Sequence, residues 1–161
     1  MIRFAKINNT LILRLLGEMR FTECTALSEL LDDIFSDPDV SNVLIDLTGA
    51  SAIDSTGLGM LAKISNHINS HYHHKTPIFS TNPDINRTLE SMGFDRVFIL
   101  LRHDPSLPIP DQELPSCVAD DTTTAQVILD AHKNLAELNE KNWREFSPII
   151  SAIEADLFSS K

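Results

Sequence analysis

The sequence predicts an α/β domain of order ββαβαβαβ that carries a helical extension at its C-terminus. Three observations lead there. Short β-patterned runs alternate with helix-periodic stretches over the first hundred residues, a proline-dense segment follows, and beyond it apolar residues recur only at helical spacing. The chain has 161 residues, 42% of them hydrophobic and 22% charged. That is one domain with a real buried core, and too apolar a composition for disorder throughout.

Residues 2–7 alternate apolar and polar, the period-2 mark of a half-buried strand, and Asn8-Asn9 turns the chain into a more apolar strand at 11–16 that ends at Gly17. The pair reads as a β-hairpin. Thr22-Glu23-Cys24-Thr25 opens a helix, with Thr22 and Thr25 both candidate caps. Ala26, Leu27, Leu30, Leu31, Ile34 and Phe35 give it an apolar stripe, and Pro38 follows its end. Val43-Leu44-Ile45-Asp46-Leu47 is a short apolar run, as in a strand buried on both faces. A helix from about Leu58 to Tyr72 comes next, then a strand at 77–80, a short helix at 83–92 stopped by Gly93, and a last strand at 97–100. Such alternation implies mostly parallel pairing and right-handed crossovers.

The boundary falls near residue 104. Four of the eight prolines lie between 105 and 115, and proline cannot sit inside a helix or a central strand. The division is therefore a domain at 1–103, an extended linker at 104–122 and a helical extension at 123–161. Thr123 with Gln126 fits a capping box ahead of Val127, Ile128, Ala131, Leu135 and Leu138. Trp143 and Phe146 read as packing anchors. Ser147-Pro148 reads as the cap and first turn of a further segment bearing Ile149, Ile150, Ile153 and Leu157. Two helices, or one kinked helix, are expected, as a hairpin or against a partner. Their apolar face must be covered, by the chain's own domain or by a homodimer.

Composition excludes several functions. Thirteen Lys and Arg against 23 Asp and Glu give a net charge of −10, a poor match for nucleic acid or an anionic membrane surface. The acidity is concentrated: residues 1–103 hold 9 basic and 12 acidic side chains, residues 104–161 hold 4 and 11. No apolar run spans a bilayer and the first residues lack a signal peptide's apolar stretch, so a cytoplasmic location is expected. Cys24 and Cys117 have no zinc or disulfide spacing. His67, His71 and His74, with His73 beside them, share a helix end but have no acidic ligand nearby in sequence, which reads as a solvated terminus rather than a metal site. There is no G-x-S-x-G elbow and no glycine-rich phosphate loop, so neither catalysis nor a cofactor is expected.

The informative segment is Asp54-Ser55-Thr56-Gly57-Leu58, where an apolar strand runs through a small-residue loop into a helix N-terminus. The first amides of a helix lack partners inside it, and an anion there meets the positive end of the helix dipole. Glycine lets another chain approach the backbone closely. A phosphate on a hydroxyl here would add ~1.5–2 negative charges beside Asp54. Asp54 either orients Ser55 or serves as the cap.

This segment resembles the signature of the STAS-domain anti-sigma factor antagonists, Asp-Ser-Ser/Thr-Gly-Leu after an apolar strand. Gly17-Glu18-Met19 stands where that family has Gly-Glu-Leu-Asp, and residues 82–94 are similar to its late helix and Gly-Leu/Phe turn. The likeness covers roughly residues 1–102. It implies a bacterial, cytoplasmic, non-enzymatic regulator of transcription that works by partner switching. Unphosphorylated, it binds an anti-sigma factor with a histidine-kinase-like ATPase fold, or a response regulator. That kinase uses ATP to phosphorylate Ser55, with Thr56 the lesser acceptor, and a PP2C-type phosphatase reverses the step. The partner-binding residues carried over are Asp54, Ser55, Thr56, Gly57, Leu58 and Arg20. Arg20 departs from the family's aspartate. It would pair with a phosphate on Ser55, pair with Asp54, or mark a subfamily with another partner. The alternative reading is a STAS accessory subunit of a lipid-trafficking ABC transporter.

Overall fold

The computed structural model describes residues 1–159. Strands β1 (Ile2–Ile7) and β2 (Thr10–Leu15) form the expected antiparallel hairpin, with Asn8 at φ 55° in its turn. Asparagine tolerates that left-handed conformation better than most residues. A short strand β3 (Gly17–Met19) and a 3₁₀ turn (Phe21–Glu23) lead into helix α1 (Cys24–Phe35). Then come β4 (Asn42–Asp46), β5 (Ala50–Ile53), helix α2 (Ser55–Tyr72) and β6 (Thr76–Phe79). Helices α3 (Pro83–Ser91) and α4 (Phe94–Val97) precede β7 (Phe98–Leu101). A two-residue strand β8 (Gln112–Glu113) and helices α5 (Asp121–Ala136) and α6 (Glu140–Ser159) complete the chain.

The main sheet has the order β7-β6-β4-β2-β1-β8. β2, β4, β6 and β7 pair in parallel; β1 and β8 add antiparallel edges. The parallel centre is why Val43-Leu44-Ile45 of β4 are apolar in succession: Val43 and Ile45 lie in the core, joined by Leu11, Leu13 and Leu15 of β2. β3 and β5 make a separate two-stranded sheet that the alternation pattern did not announce, because Ala50-Ser51-Ala52-Ile53 is short and weakly apolar.

Several local expectations are corrected. Neither Thr22 nor Thr25 caps α1: Thr22 lies in the 3₁₀ turn, Thr25 is buried in the helix, and Glu23 precedes it without a side-chain cap. Asp120, not Thr123, caps α5, accepting from the Thr123 amide at 2.6 Å. Pro148 lies inside α6 rather than starting a helix. The break falls at residues 137–139, where the Asn139 carboxamide oxygen accepts from the Asn142 amide at 2.8 Å and so caps α6. Inside α6 the Ser147 hydroxyl donates to the Trp143 carbonyl. Trp143 is 53% exposed and anchors nothing, whereas Phe146 and Ile150 are buried.

The segment expected as a free linker is a strap. Arg3 donates from Nε to the Pro110 carbonyl at 2.9 Å, Leu114 donates its amide to Ile2 at 2.9 Å, and β8 pairs with β1. Beyond it the extension docks on its own domain. Leu129, Ala131, His132, Leu135 and Ala136 of α5 are buried, and α5 lies along α2. A Cβ on Gly59 would stand 2.1 Å from the Ala131 carbonyl oxygen. Only glycine permits that approach of two backbones. The start of α6 is fastened to the turn after α3: Asn139 and Asn142 both donate to the Met92 carbonyl, at 3.1 and 2.9 Å. One apolar cluster runs through sheet, α1, α2, α5 and α6.

Candidate functional site

Two strand ends and one helix start hold the Asp54–Leu58 corner. Asp46 closes β4 by accepting at Oδ1 from the Thr48 amide at 2.8 Å and the Thr48 hydroxyl at 2.6 Å, which turns the chain away from the sheet. β5 then pairs with β3, and the Asp54 amide donates to the Met19 carbonyl at 3.0 Å. Asp54 is extended, with φ −86° and ψ 175°, as an N-cap should be. Its Oδ1 accepts from the Gly57 amide at 2.8 Å and its Oδ2 from the Phe21 amide at 2.9 Å. One carboxylate thus caps α2 and ties it to the turn before α1.

Because Asp54 does the capping, the Ser55 hydroxyl is free for something else. Ser55 is the first residue of α2 and half-buried. Its Oγ lies 3.0 Å from Nε2 of His132 on α5. His132 Nδ1 lies 2.7 Å from the Ile128 carbonyl, which can only accept. Nδ1 therefore carries a hydrogen, and in the neutral imidazole Nε2 accepts from the Ser55 hydroxyl. The imidazole is buried, with Phe146 against it at 5.7 Å.

The other residues of the motif serve the frame. Thr56, Gly57 and Leu58 are buried. A Cβ on Gly57 would meet Ile53 at 2.9 Å and Met19 at 3.0 Å. Arg20 is exposed and pairs with Glu18; the pair with Asp54, one of its three expected roles, is not the one formed, and both oxygens of Asp54 accept from backbone amides. Cys24 is buried beside this corner, its thiol pushed up to about 12 by burial and, secondarily, by the charges of Asp54 and Glu23. It is an inert core thiol.

The histidines at the end of α2 are occupied in packing. His67 stacks on Phe35 at 3.9 Å and His71 on His67 at 4.1 Å. His71 Nδ1 donates to the His67 carbonyl at 2.9 Å, and His74 Nε2 to Ser41 at 3.0 Å. Among the described residues no group of three or more His, Cys, Asp or Glu is placed to hold a metal ion. No helix among them is long and apolar enough to cross a membrane.

The STAS domain family model matches residues 1–107, two thirds of the chain and all of the sheet except β8. The chain belongs to the STAS domain family. Solved structures share this fold. SpoIIAA, an anti-sigma factor antagonist in its unphosphorylated form, superposes with a TM-score of 0.56 at 14% identity, covering 62% of this chain and 87% of its own. SpoIIAA of Bacillus in its phosphorylated form gives 0.53 at 14% identity, over 62% and 90%. An anti-sigma factor antagonist from Mycobacterium paratuberculosis gives 0.56 at 18%, over 64% and 86%. No curated protein matches the chain. The likeness stops short of the extension, so α5 and α6 are additions to the STAS domain, and His132 comes from the addition. The one trace of His132 in the sequence is its position: it interrupts the apolar stripe of α5, four residues after Ile128 and three before Leu135.

Proposed function

We propose that this STAS protein is a cytoplasmic anti-sigma factor antagonist that acts by partner switching, with Ser55 the hydroxyl that is phosphorylated. The observation that carries the reading is the division of labour at the corner. Asp54 alone caps α2, so Ser55 is spare as a structural residue and is set at the positive end of the helix dipole. Thr56, the other hydroxyl, is 4% exposed and beyond a kinase's reach in the folded domain. The chain is the substrate, not the enzyme. ATP belongs to a kinase-type anti-sigma factor with a histidine-kinase-like fold, and a PP2C-type phosphatase restores the hydroxyl. Without phosphate, the partner docks on the corner formed by Asp54, Ser55 and Arg20, over the frame of Thr56, Gly57 and Leu58. With it, two added charges lie beside Asp54, and desolvating them in a close interface weakens binding by orders of magnitude.

Phosphopeptide mapping of the chain isolated from its own cells tests the assignment. A phosphoryl group on Ser55, absent from the Ser55→Ala protein, is expected. Phosphate carried only elsewhere would contradict the site.

A further inference from the structure

We infer that docking of α5 on α2 and phosphorylation of Ser55 are mutually exclusive, so that the C-terminal extension is a cover over the switch serine. The inference rests on the phosphorylation reading for its biological use, but its physical content does not. His132 is 2% exposed, and its neutral imidazole offers Ser55 a lone pair, because the one ring hydrogen of that form is committed to the Ile128 carbonyl. A hydroxyl satisfies that lone pair. A phosphoryl group replaces the hydroxyl's hydrogen with three acceptor oxygens and brings up to two negative charges. It would stand against that acceptor nitrogen, on the residue next to Asp54, under a helix held close: Gly59 lies in backbone contact with Ala131, one residue before His132. A buried acceptor nitrogen left facing a half-buried anion is a costly arrangement, and moving α5 away relieves it.

The coupling must run both ways. Whatever frees α5 exposes Ser55 to kinase and partner alike, and the apparent affinity of either is lowered by the fraction of chains in which α5 is off. Phosphate on Ser55 in turn keeps α5 off until it is removed. The extension thus sets a threshold that a bare STAS domain lacks.

Amide hydrogen exchange read by mass spectrometry on the full-length chain tests this without any partner or kinase. Ser55→Glu supplies a negative charge at the site. Gly59→Ala forces the helices apart at Ala131 while improving the helix propensity of α2, and shows what release of α5 looks like. In both, peptides covering α5 are expected to exchange about tenfold faster or more, while peptides from β2 and β4 keep their protection. Exchange of α5 that is unchanged or slower in Ser55→Glu overturns the inference; slower exchange would mean that His132 welcomes a carboxylate. Should Gly59→Ala also lose protection in the sheet, Ser55→Glu decides alone. The result stands apart from the functional reading. Faster exchange supports the cover whether or not Ser55 governs partner capture, and unchanged exchange refutes it even if Ser55 does.

Discussion

Asp54 is the residue on which the site depends. It accepts from two amides in different elements, so its removal costs a helix cap and leaves the Phe21 amide without its partner. Asp54→Ala is expected to lower unfolding stability by about 1–2 kcal/mol, measured by urea denaturation. A change of less than about 0.5 kcal/mol would mean that water replaces both contacts. Its neighbour Ser55 is the opposite kind of residue. Ser55 contributes one hydrogen bond, to His132, and is otherwise expendable to the fold. That contrast separates a structural carboxylate from a hydroxyl the fold can spare within one dipeptide. The motif marked both residues in the sequence; the sorting of their roles needed coordinates, since Asp and Ser are equally good caps on propensity alone.

At the scale of elements, long runs with a clear period were legible and short or context-made ones were not. The hairpin, β4, α2 and α3 follow from patterning. β5 escaped because three small residues and one isoleucine carry no pattern, and the strap at 104–120 because its pairing with β1 depends on Arg3, more than a hundred residues away. The helix start expected at Ser147-Pro148 is absent because the break between the two helices falls at Asn139, whose capping role is local chemistry hidden in an acidic stretch. The α1–α2 contact gives a pH dependence. Burial, and then the charge of His71, hold the His67 imidazole below its ordinary 6.5. The unfolded chain therefore takes up this proton first on acidification, and stability falls as pH drops through about 6.5. Melting temperatures at about pH 7.5 and 5.5 should differ less in His67→Gln than in the wild type. An equal loss in the two proteins would show that His67 titrates as freely folded as unfolded.

For the whole molecule, the extension changes what a STAS domain can do. Family membership covers residues 1–107, and the features that set this chain apart all lie beyond it: the strap, α5 with His132, and α6 fastened to Met92. Their apolar stripe announced that something must cover it, but not that the covering surface would be α2, because a glycine such as Gly59 looks the same in sequence whether it meets a partner or its own chain. On this account Ser55 is both the switch and the point on which the cover rests. The most direct test is capture from native lysate on Ser55→Ala and Ser55→Glu baits, with captured proteins identified by mass spectrometry. The account predicts a histidine-kinase-like ATPase or a response regulator held by Ser55→Ala and lost by at least about tenfold from Ser55→Glu. Equal capture of one partner by both baits, a membrane transporter ATPase above all, would contradict it.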